Sequence, residues 1–188
     1  METIVDGNFY FVHDKYFIDF PDNKLMSNKE TIAGVEHNRP CFYSFVDVKT
    51  GINWFIPISS QVKKFQGIYN KKILAGKVVD TIVFGFVMGN KKAFLIQNMF
   101  PVTQNYIFNE YIDSVTKAPV TINEKLKKEL NSKGKKVLGL HRKGIFLIFP
   151  DVLKIETQLL DIQVATQRLV DEAAISVDMS PFVPRILP

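Results

Sequence analysis

The residues best suited to chemistry lie in the stretch IPISSQVKKF, where two hydroxyls, Ser59 and Ser60, are followed by two ammonium groups, Lys63 and Lys64. If Ser60 caps a helix over 61–72, its hydroxyl and the free amides of the first turn converge where the helix dipole favours an anion. Both lysines lie on that first turn and add positive charge. The segment therefore predicts a phosphate site. The alternative is a simple cap followed by solvated lysines.

A second polar cluster, EHNRPCFY, opens a strand over 41–48 that the turn DVKTGINW returns into a strand over 53–58. Antiparallel pairing then places Arg39 beside the serine pair. Arginine, lysine and hydroxyls around one phosphodiester form a site that needs no metal, because the 2′-OH of RNA supplies the nucleophile. His37 is a candidate acid or base for this chemistry. The alternative for His37 is a surface or structural histidine.

The elements that must position these groups follow from hydropathy. Apolar or alternating runs predict strands over 9–20, 41–48, 53–58, 81–88, 92–99 and 144–150. Helices are predicted over 61–72, within VTQNYIFNEYID after Pro101, within TINEKLKKELNSKGKKVLG, and from near Asp151 to about Ala174. Gly51 and Gly89 mark two tight hairpin turns. The order predicts an α+β fold, a curled antiparallel sheet or small SH3-like barrel with peripheral helices.

Charge is divided unevenly along the 188 residues. Residues 1–150 carry +8 and residues 151–188 carry −3, which together give the net +5. The first part suits a polyanion, although a lysine-rich surface is also a common solubility device. Besides the groups above, the RNA-contact candidates are Lys64, Lys71, Lys72, Lys127, Lys128, Lys135, Lys136, His141, Arg142 and Lys143. The lysines from 127 to 136 could equally be the solvated face of an amphipathic helix.

Several classes of function lack their sequence signatures. There is no GxGxxG, GxxxxGK[ST], HExxH or GxSxG motif and no carboxylate cluster with the spacing of a metal site, so we expect no cofactor and no metal. The single cysteine, Cys41, next to an aromatic run, predicts a buried structural thiol in a reducing compartment. No run is long and apolar enough to span a bilayer, and the N-terminus does not resemble a signal peptide. We therefore expect a cytoplasmic protein without a membrane partner.

An ordered set of motifs resembles a known family. The series HNRPCFYSF, WFIPISSQVKKF, TIVFGFVMGNKKAFLIQNMFPVT, YID and KKVLGLHRKGIFLIFPDV is similar to the endoribonuclease toxins of type III toxin-antitoxin systems, the ToxN/AbiQ group, and most to its CptN branch. The resemblance spans about residues 8–160. It implies a curled sheet related to the MazF-like barrel and metal-independent, sequence-preferring cleavage of single-stranded RNA to a 2′,3′-cyclic phosphate. It also implies a small, repeat-derived RNA antitoxin, a toxin–RNA assembly and a role in phage defence.

The same resemblance assigns site residues. The family's hydroxyl pair and following lysine fall on Ser59, Ser60 and Lys63, and its basic residue before the second strand falls on Arg39. Two departures stand out: the spacing to the lysine is one residue longer than in the family's Thr-Ser-Pro-Lys, and Arg39 stands where the ToxN pattern has lysine. His37 is then an addition of this branch or a bystander.

Two other functions remain open at the level of sequence. A non-catalytic, SH3-like RNA-binding module needs only a basic face, and a type II toxin would be held by a protein antitoxin. The expected organisation is one toxin domain over residues 1–160 and a helical or irregular tail over residues 161–188, in which no family motif occurs.

Overall fold

The computed structural model describes residues 4–32 and 34–178, apart from the side chains of 32 and 174–178. In chain order the elements are β1 Phe9–Val12, α1 Asp14–Asp19, β2 Lys29–Ile32, β3 Val35–Asn38, β4 Cys41–Val46, β5 Asn53–Ser59, α2 Val62–Leu74, β6 Val83–Val87, β7 Asn90–Phe94, β8 Phe100–Val102, β9 Ile107–Glu110, α3 Glu124–His141 and α4 Val152–Asp178. Two 3-10 helices, Ile96–Asn98 and Gln104–Tyr106, flank β8. The predicted α+β class is confirmed.

One antiparallel sheet of seven strands organises the molecule: six follow the order β6-β7-β5-β4-β1-β9, and the seventh, β8, pairs with β5 outside that order. The long strand β5 pairs along one side with β4, and along its other side with β8 near its start and with β7 near its end. The sheet stays open between β6 and β9, so the predicted antiparallel sheet with peripheral helices is confirmed, and of its two predicted forms the small barrel does not close. Strands β2 and β3 form a separate hairpin.

The two hairpins predicted from glycine turns are confirmed. Gly51, with φ of +70°, lies in the turn between β4 and β5, and Cys41 pairs with Pro57 in that ladder. Met88 and Gly89 both have positive φ in the turn between β6 and β7, as a two-residue type I′ turn requires. In the resulting registers the end of β5 lies between the start of β4 and the end of β7.

The core is rich in aromatic side chains because the inward positions of β1, β4 and β5 are large apolar residues. Its largest fully buried members include Trp54, Tyr16, Phe9, Phe42, Phe55 and Phe94. A smaller cluster of Phe65, Val79, Ile82, Ala93 and Leu95 attaches α2 to β7. Burial of such side chains contributes about 1.5–3 kcal/mol each relative to exposure, so the core fixes the sheet on which the polar residues stand.

Helix α3 lies close to the sheet. A Cβ on Gly134 would be 3.0 Å from Phe45 Cε1, and one on Gly85 of β6 would be 2.1 Å from Leu126 Cδ2. Asn123 caps the helix, because its side-chain oxygen accepts the Leu126 amide at 2.9 Å. The predicted helix in this segment is therefore confirmed, with its leucines facing the core.

Helix α4 has two unlike halves. Val152, Ile155 and Leu159 are buried against the sheet, whereas every side chain from Asp161 to Ala173 is exposed. The predicted helix from near Asp151 is confirmed and continues to Asp178. The irregular end predicted from MSPFVPRILP lies outside the described residues.

Four other sequence predictions are wrong in part or whole. The strand predicted over 9–20 stops at Val12, because Tyr16 and Phe20 are buried at the i, i+4 spacing of a helix. The strand predicted over 92–99 ends at Phe94. The segment after Pro101 forms a 3-10 turn and β9 rather than an α-helix. The segment 144–150 is a loop, tied to Gln97 by the Phe149 amide at 2.8 Å.

Candidate functional site

The candidate site is a pocket of about 400 Å³ between the β2–β3 hairpin, the end of β5 and the β6–β7 hairpin. We call it the hairpin pocket; the polar and aromatic side chains that line it include Ser60, His37, Glu30, Lys92, Phe11 and Tyr111. Each of the first four comes from a different strand or strand end. The pocket therefore exists only because the two hairpins meet at the end of β5.

Ser60 lies just past the end of β5, and its hydroxyl donates a hydrogen bond to Glu30 Oε1. The other carboxylate oxygen, Oε2, accepts from Arg39 Nη1 at 2.7 Å. The predicted proximity of Arg39 to the serine pair is thus confirmed, and the two are joined through a carboxylate. Glu30 pairs with His37 across the β2–β3 hairpin, so His37 lies next to the carboxylate that joins Ser60 and Arg39.

Arg39 is mostly shielded from solvent, and its guanidinium is already bonded to other groups of the protein. Its guanidinium donates to Ser27 O from Nε at 3.0 Å and to Ile58 O from Nη1 at 2.8 Å, besides Glu30. Only 11% of the side chain is exposed. Because its charge is already matched by a carboxylate, the guanidinium is not free for the direct phosphate contact that the sequence predicted.

The capping prediction for Ser60 is wrong. Helix α2 begins at Val62 with Gln61 as its N-cap residue, and no side chain caps it. Ser59 is 4% exposed, and its hydroxyl accepts the Gln61 amide at 3.2 Å, so Ser59 stabilises the turn between β5 and α2. The turn frees Ser60 from the helix and directs it to Glu30, while Ser59 does not line the pocket.

Lysines enter the site region from two elements. Lys92 of β7 lines the hairpin pocket, and sequence reasoning missed it. Lys63 and Lys64, in the first turn of α2, are exposed beside Ser60 in the chain and do not line the pocket. Neither forms an ion pair within residues 4–32 and 34–178. Their charge is available to an external anion.

One wall of the hairpin pocket is aromatic. Phe11 and Tyr111, on β1 and just after β9, are both partly exposed, and their ring centroids lie 5.4 Å apart at 70°. An exposed aromatic face next to cations can stack a nucleobase. Neither ring was a candidate from sequence, because Phe11 lies in a run predicted to be a strand and Tyr111 in a segment predicted to be a helix.

The remaining lysine candidates divide into two groups. On α2, Lys71 is exposed, and Lys72 donates to Thr81 at 3.3 Å while burial lowers its pKa. On α3, Lys127 and Lys136 form ion pairs with Asp6 at 3.5 Å and Asp80 at 2.6 Å.

The other two candidates on α3 differ from each other. Lys135 lies over the ring of Phe45, and Lys128 is exposed. Three of the four predicted RNA contacts on α3 therefore already have a partner within the protein.

His141 and Arg142 have structural surroundings. His141 is 5% exposed, and its Nδ1 accepts the amides of Leu147 and Ile148 at 3.3 Å each. Burial lowers the pKa of this imidazole. Arg142 bridges Asp47 and Glu156 at 2.5 Å each. Both residues hold the loop after α3 in place, which does not support the predicted RNA contact; the neighbouring Lys143 is exposed.

Three further observations bear on the chemistry. The Cys41 thiol is buried, and burial raises its pKa to about 12, which confirms a structural thiol. Among the described residues, no three His, Cys, Asp or Glu side chains are placed to hold a metal ion. The described helices are too short or too polar to cross a membrane.

The sequence signal for Glu30 existed but is weak. The segments KETI and VEHN flank an Ala-Gly turn, and Gly34 has φ of +82°. Two short runs around such a turn are a hairpin signature. All of β3 is exposed, so apolar alternation, the usual indicator of a strand, is missing.

The α+β architecture with an open antiparallel sheet defines a class of fold that two solved proteins share. No protein-family model matches the chain, and no curated protein matches it. A structure from work on bacterial type III toxin-antitoxin systems, concerned with selective toxin inhibition by a non-coding RNA pseudoknot, matches with a TM-score of 0.57 and 17% identity, over 85% of this chain and 99% of that one.

The second structure is AbiQ, a lactococcal anti-phage endoribonuclease of a type III toxin-antitoxin system. It matches with a TM-score of 0.55 and 16% identity, over 86% of this chain and 97% of that one. The chain therefore has the ToxN/AbiQ fold, as the resemblance of its motifs predicted. Its placement in the CptN branch stays a prediction.

Proposed function

We propose that this protein is an endoribonuclease toxin of a type III toxin-antitoxin system that cleaves single-stranded RNA in the hairpin pocket. The observation that carries the proposal is the joint placement of Ser60, His37 and Lys92 around one pocket, on the fold shared with two type III toxins. A hydroxyl, an imidazole and an ammonium are the groups that phosphodiester cleavage by an internal 2′-OH needs.

In the proposed reaction the protein holds the scissile phosphate in line with the preceding 2′-OH. Ser60 and Lys92 stabilise the additional negative charge on the phosphoryl oxygens, and His37 protonates the leaving 5′ oxygen. Lys63, on the first turn of α2, extends the positive field towards the phosphate. The products are a 2′,3′-cyclic phosphate and a 5′-hydroxyl. No step requires a metal, because the nucleophile belongs to the substrate.

The RNA path is proposed to follow the cations that lack a counter-charge in the described chain. From the hairpin pocket the RNA would run along α2 past Lys63, Lys64 and Lys71. Lys72, on the same helix, would contribute a further contact. Phe11 and Tyr111 would stack a base next to the cleaved bond, which provides a source of sequence preference. A small, repeat-derived RNA antitoxin would occupy the same path and extend towards Lys128 and Lys143, in a toxin–RNA assembly in the cytoplasm.

The test is cleavage of a long, mixed-sequence single-stranded RNA by the purified protein in the presence of excess EDTA. Expected products end in 2′,3′-cyclic phosphate and 5′-hydroxyl, and a single 2′-deoxy substitution at a mapped cleavage site abolishes cutting there. Binding without cleavage would favour the non-catalytic RNA-binding module. Activity that EDTA removes and Mg²⁺ restores would contradict the metal-independent mechanism.

The antitoxin needs a separate measurement. RNA transcribed from tandem repeats upstream of the gene is expected to inhibit cleavage, whereas a scrambled RNA of equal length does not. Inhibition by a co-encoded protein instead would favour a type II toxin.

A further inference from the structure

Glu30 is the one carboxylate among the described residues that line the hairpin pocket, and no part of the proposed reaction has yet used it. Its side chain is 14% exposed, so it is largely shielded from bulk water yet open to the pocket. A carboxylate repels an anionic substrate. Its presence in a site for phosphate therefore suggests that it has a role in the reaction. This inference rests on the proposed cleavage of RNA and concerns how its first proton is removed.

The surroundings of Glu30 fix its orientation. Arg39 Nη1 contacts Oε2 at 2.7 Å, and the same guanidinium is anchored to the backbone oxygens of Ser27 and Ile58. These anchors come from the chain before β2 and from β5. Since Arg39 is held on two sides, Glu30 cannot turn away without breaking a buried ion pair. The oxygen that remains, Oε1, is directed to Ser60 and to the pocket.

We propose that Glu30 is the general base of the reaction and that Arg39 is its positioning residue. Glu30 Oε1 takes the proton of the 2′-OH while the 2′ oxygen forms its bond to phosphorus. The bond from phosphorus to the 5′ oxygen breaks, and protonated His37 gives its proton to that oxygen. One proton enters Glu30 and one leaves His37, so transfer of a proton back through water restores both groups.

The contact between Ser60 and Glu30 belongs to the state without RNA. When a phosphate enters, the Ser60 hydroxyl donates to a phosphoryl oxygen, and Oε1 becomes free to accept the 2′ proton. The charged groups that face Glu30 are Arg39, His37 and Lys92. All three can carry positive charge, which offsets the repulsion between the carboxylate and a phosphate in the pocket.

The decisive variant is Glu30→Gln, with Glu36→Gln as its matched control. Glu36 lies on the same hairpin, is exposed and does not line the pocket. Single-turnover cleavage is measured from pH 4 to pH 9 on the RNA that the wild type cuts. Glu30→Gln is expected to lower the rate about 10²- to 10⁴-fold and to remove the fall in rate on the acid side. Glu36→Gln is expected to keep the wild-type rate and profile.

A second pair of variants guards against a loss of folding. Glu30→Asp retains a carboxylate and is expected to recover part of the rate together with the acid-side fall. Arg39→Gln is expected to lower the single-turnover rate but to leave RNA affinity and the acid-side fall nearly unchanged, because the carboxylate remains but loses the ion pair that orients it. A purely structural role of Arg39 would lower the amount of folded enzyme without lowering the rate per folded molecule.

The outcomes separate the two proposals. If Glu30→Gln cuts RNA at the wild-type rate, or keeps the acid-side fall, Glu30 is not the base. If Glu30→Asp is as slow as Glu30→Gln with the same profile, the inference is equally overturned. If the wild type cuts no RNA at all, the proposed function itself is wrong.

Discussion

Helices α2 and α3 are both rich in lysine, but they differ in how many of these lysines form ion pairs with carboxylates. On α3, ion pairs join Lys127 to Asp6, Lys133 to Glu129 and Lys136 to Asp80. On α2, no lysine forms an ion pair within the described residues, and the helix contains no acidic side chain. Similar sequence patterns therefore produce a surface on α3 where half of the lysines are in ion pairs, and a surface on α2 where none is.

The difference teaches where electrostatic function can be sought. A lysine with a nearby carboxylate gives up an existing interaction when it binds a phosphate, whereas a free lysine gives up only hydration and counterions. Charge counts along the sequence cannot separate these cases, because Asp6 and Asp80 are remote from α3 in the chain. We therefore propose that the RNA path lies along α2 and the hairpin pocket, and that α3 has a mainly structural role.

The largest expected effect is on the cleavage rate, and it separates Ser60, in the hairpin pocket, from Ser44, which contacts α3. Ser60→Ala is expected to lower the cleavage rate about 10²- to 10³-fold, because a donor to the developing oxyanion is lost, and to leave Tm nearly unchanged. It should also abolish growth arrest when expressed in bacteria. Ser44, whose hydroxyl donates to Asn131 of α3 at 3.0 Å, is fully buried. Ser44→Ala is expected to cost about 1 kcal/mol of stability and to keep the rate.

Rates from single-turnover assays and Tm values from thermal unfolding check this pair. Growth arrest by the Ser60→Ala protein at equal expression would place the site elsewhere.

The next effect concerns RNA affinity. Neutralising Lys63, Lys64 and Lys71 together by glutamine is expected to reduce the slope of log affinity against log salt by about 2, at roughly 0.7 per phosphate contact on a single strand. The matched quadruple variant on α3 replaces Lys127, Lys128, Lys135 and Lys136. Its slope should change by only about 1.4, because Lys127 and Lys136 are already in ion pairs there.

Titrations of a fluorescent, uncleavable RNA at several salt concentrations measure both slopes. A larger loss from the α3 variant would reverse the comparison and make α3 the main RNA surface.

A smaller effect tests how closely each side is packed. Gly85→Ala would place a methyl group 2.1 Å from Leu126 Cδ2 of α3, so the buried leucine must change rotamer, and we expect a loss of about 1–3 kcal/mol. Gly67, within α2, has open space around it, and Gly67→Ala should gain about 0.5–1 kcal/mol from helix propensity. Urea unfolding reports both changes, and equal effects of the two would refute the difference in packing.

The smallest expected effect is on the pH dependence of stability. Burial lowers the pKa of His141 in the folded protein, so the unfolded state binds more protons as pH falls. The contribution of the neutral imidazole is complete above about pH 6.5, its ordinary pKa, and is lost as pH falls below that value. His141→Asn keeps an acceptor for the Leu147 and Ile148 amides and should show a weaker loss of stability between pH 7.5 and pH 5. If the free energy of unfolding of the wild type and of His141→Asn fell in parallel over this pH range, His141 would not be the source of the pH dependence.

The parts of the fold that the sequence predicted are those whose signals are local. Gly51 and Gly89 favour tight turns, and the leucines of α3 repeat at helical spacing. These local signals are enough to predict both hairpins and α3, which the structure confirms. The β2–β3 hairpin was missed because its second strand is wholly exposed and lacks an apolar face. Closure into a barrel would require β6 to meet β9, a long-range pairing that no local pattern encodes.

The candidate site shows the same division. Strand register predicted that Arg39 lies near Ser60, and the structure confirms it. The carboxylate between them could not be predicted, since Glu30 reaches the site only when the separate hairpin folds over the end of β5. Lys92 and the Phe11–Tyr111 pair were missed for a related reason: a side chain that lines a pocket has the same sequence pattern as one that is half-buried in a sheet.

The two halves of α4 have a consequence for hydrogen exchange. Amides up to Leu159 are held by side chains in the core, so their exchange requires the opening of the domain. From Asp161 to Ala173 the side chains are exposed, and order there depends on backbone hydrogen bonds and on contacts such as that of Gln167 with Asp171 at 2.8 Å. A helical segment of this length is marginal in water by itself. One continuous helix should therefore exchange its amides in two regimes, with fast local fraying beyond residue 161 and slow global opening before it.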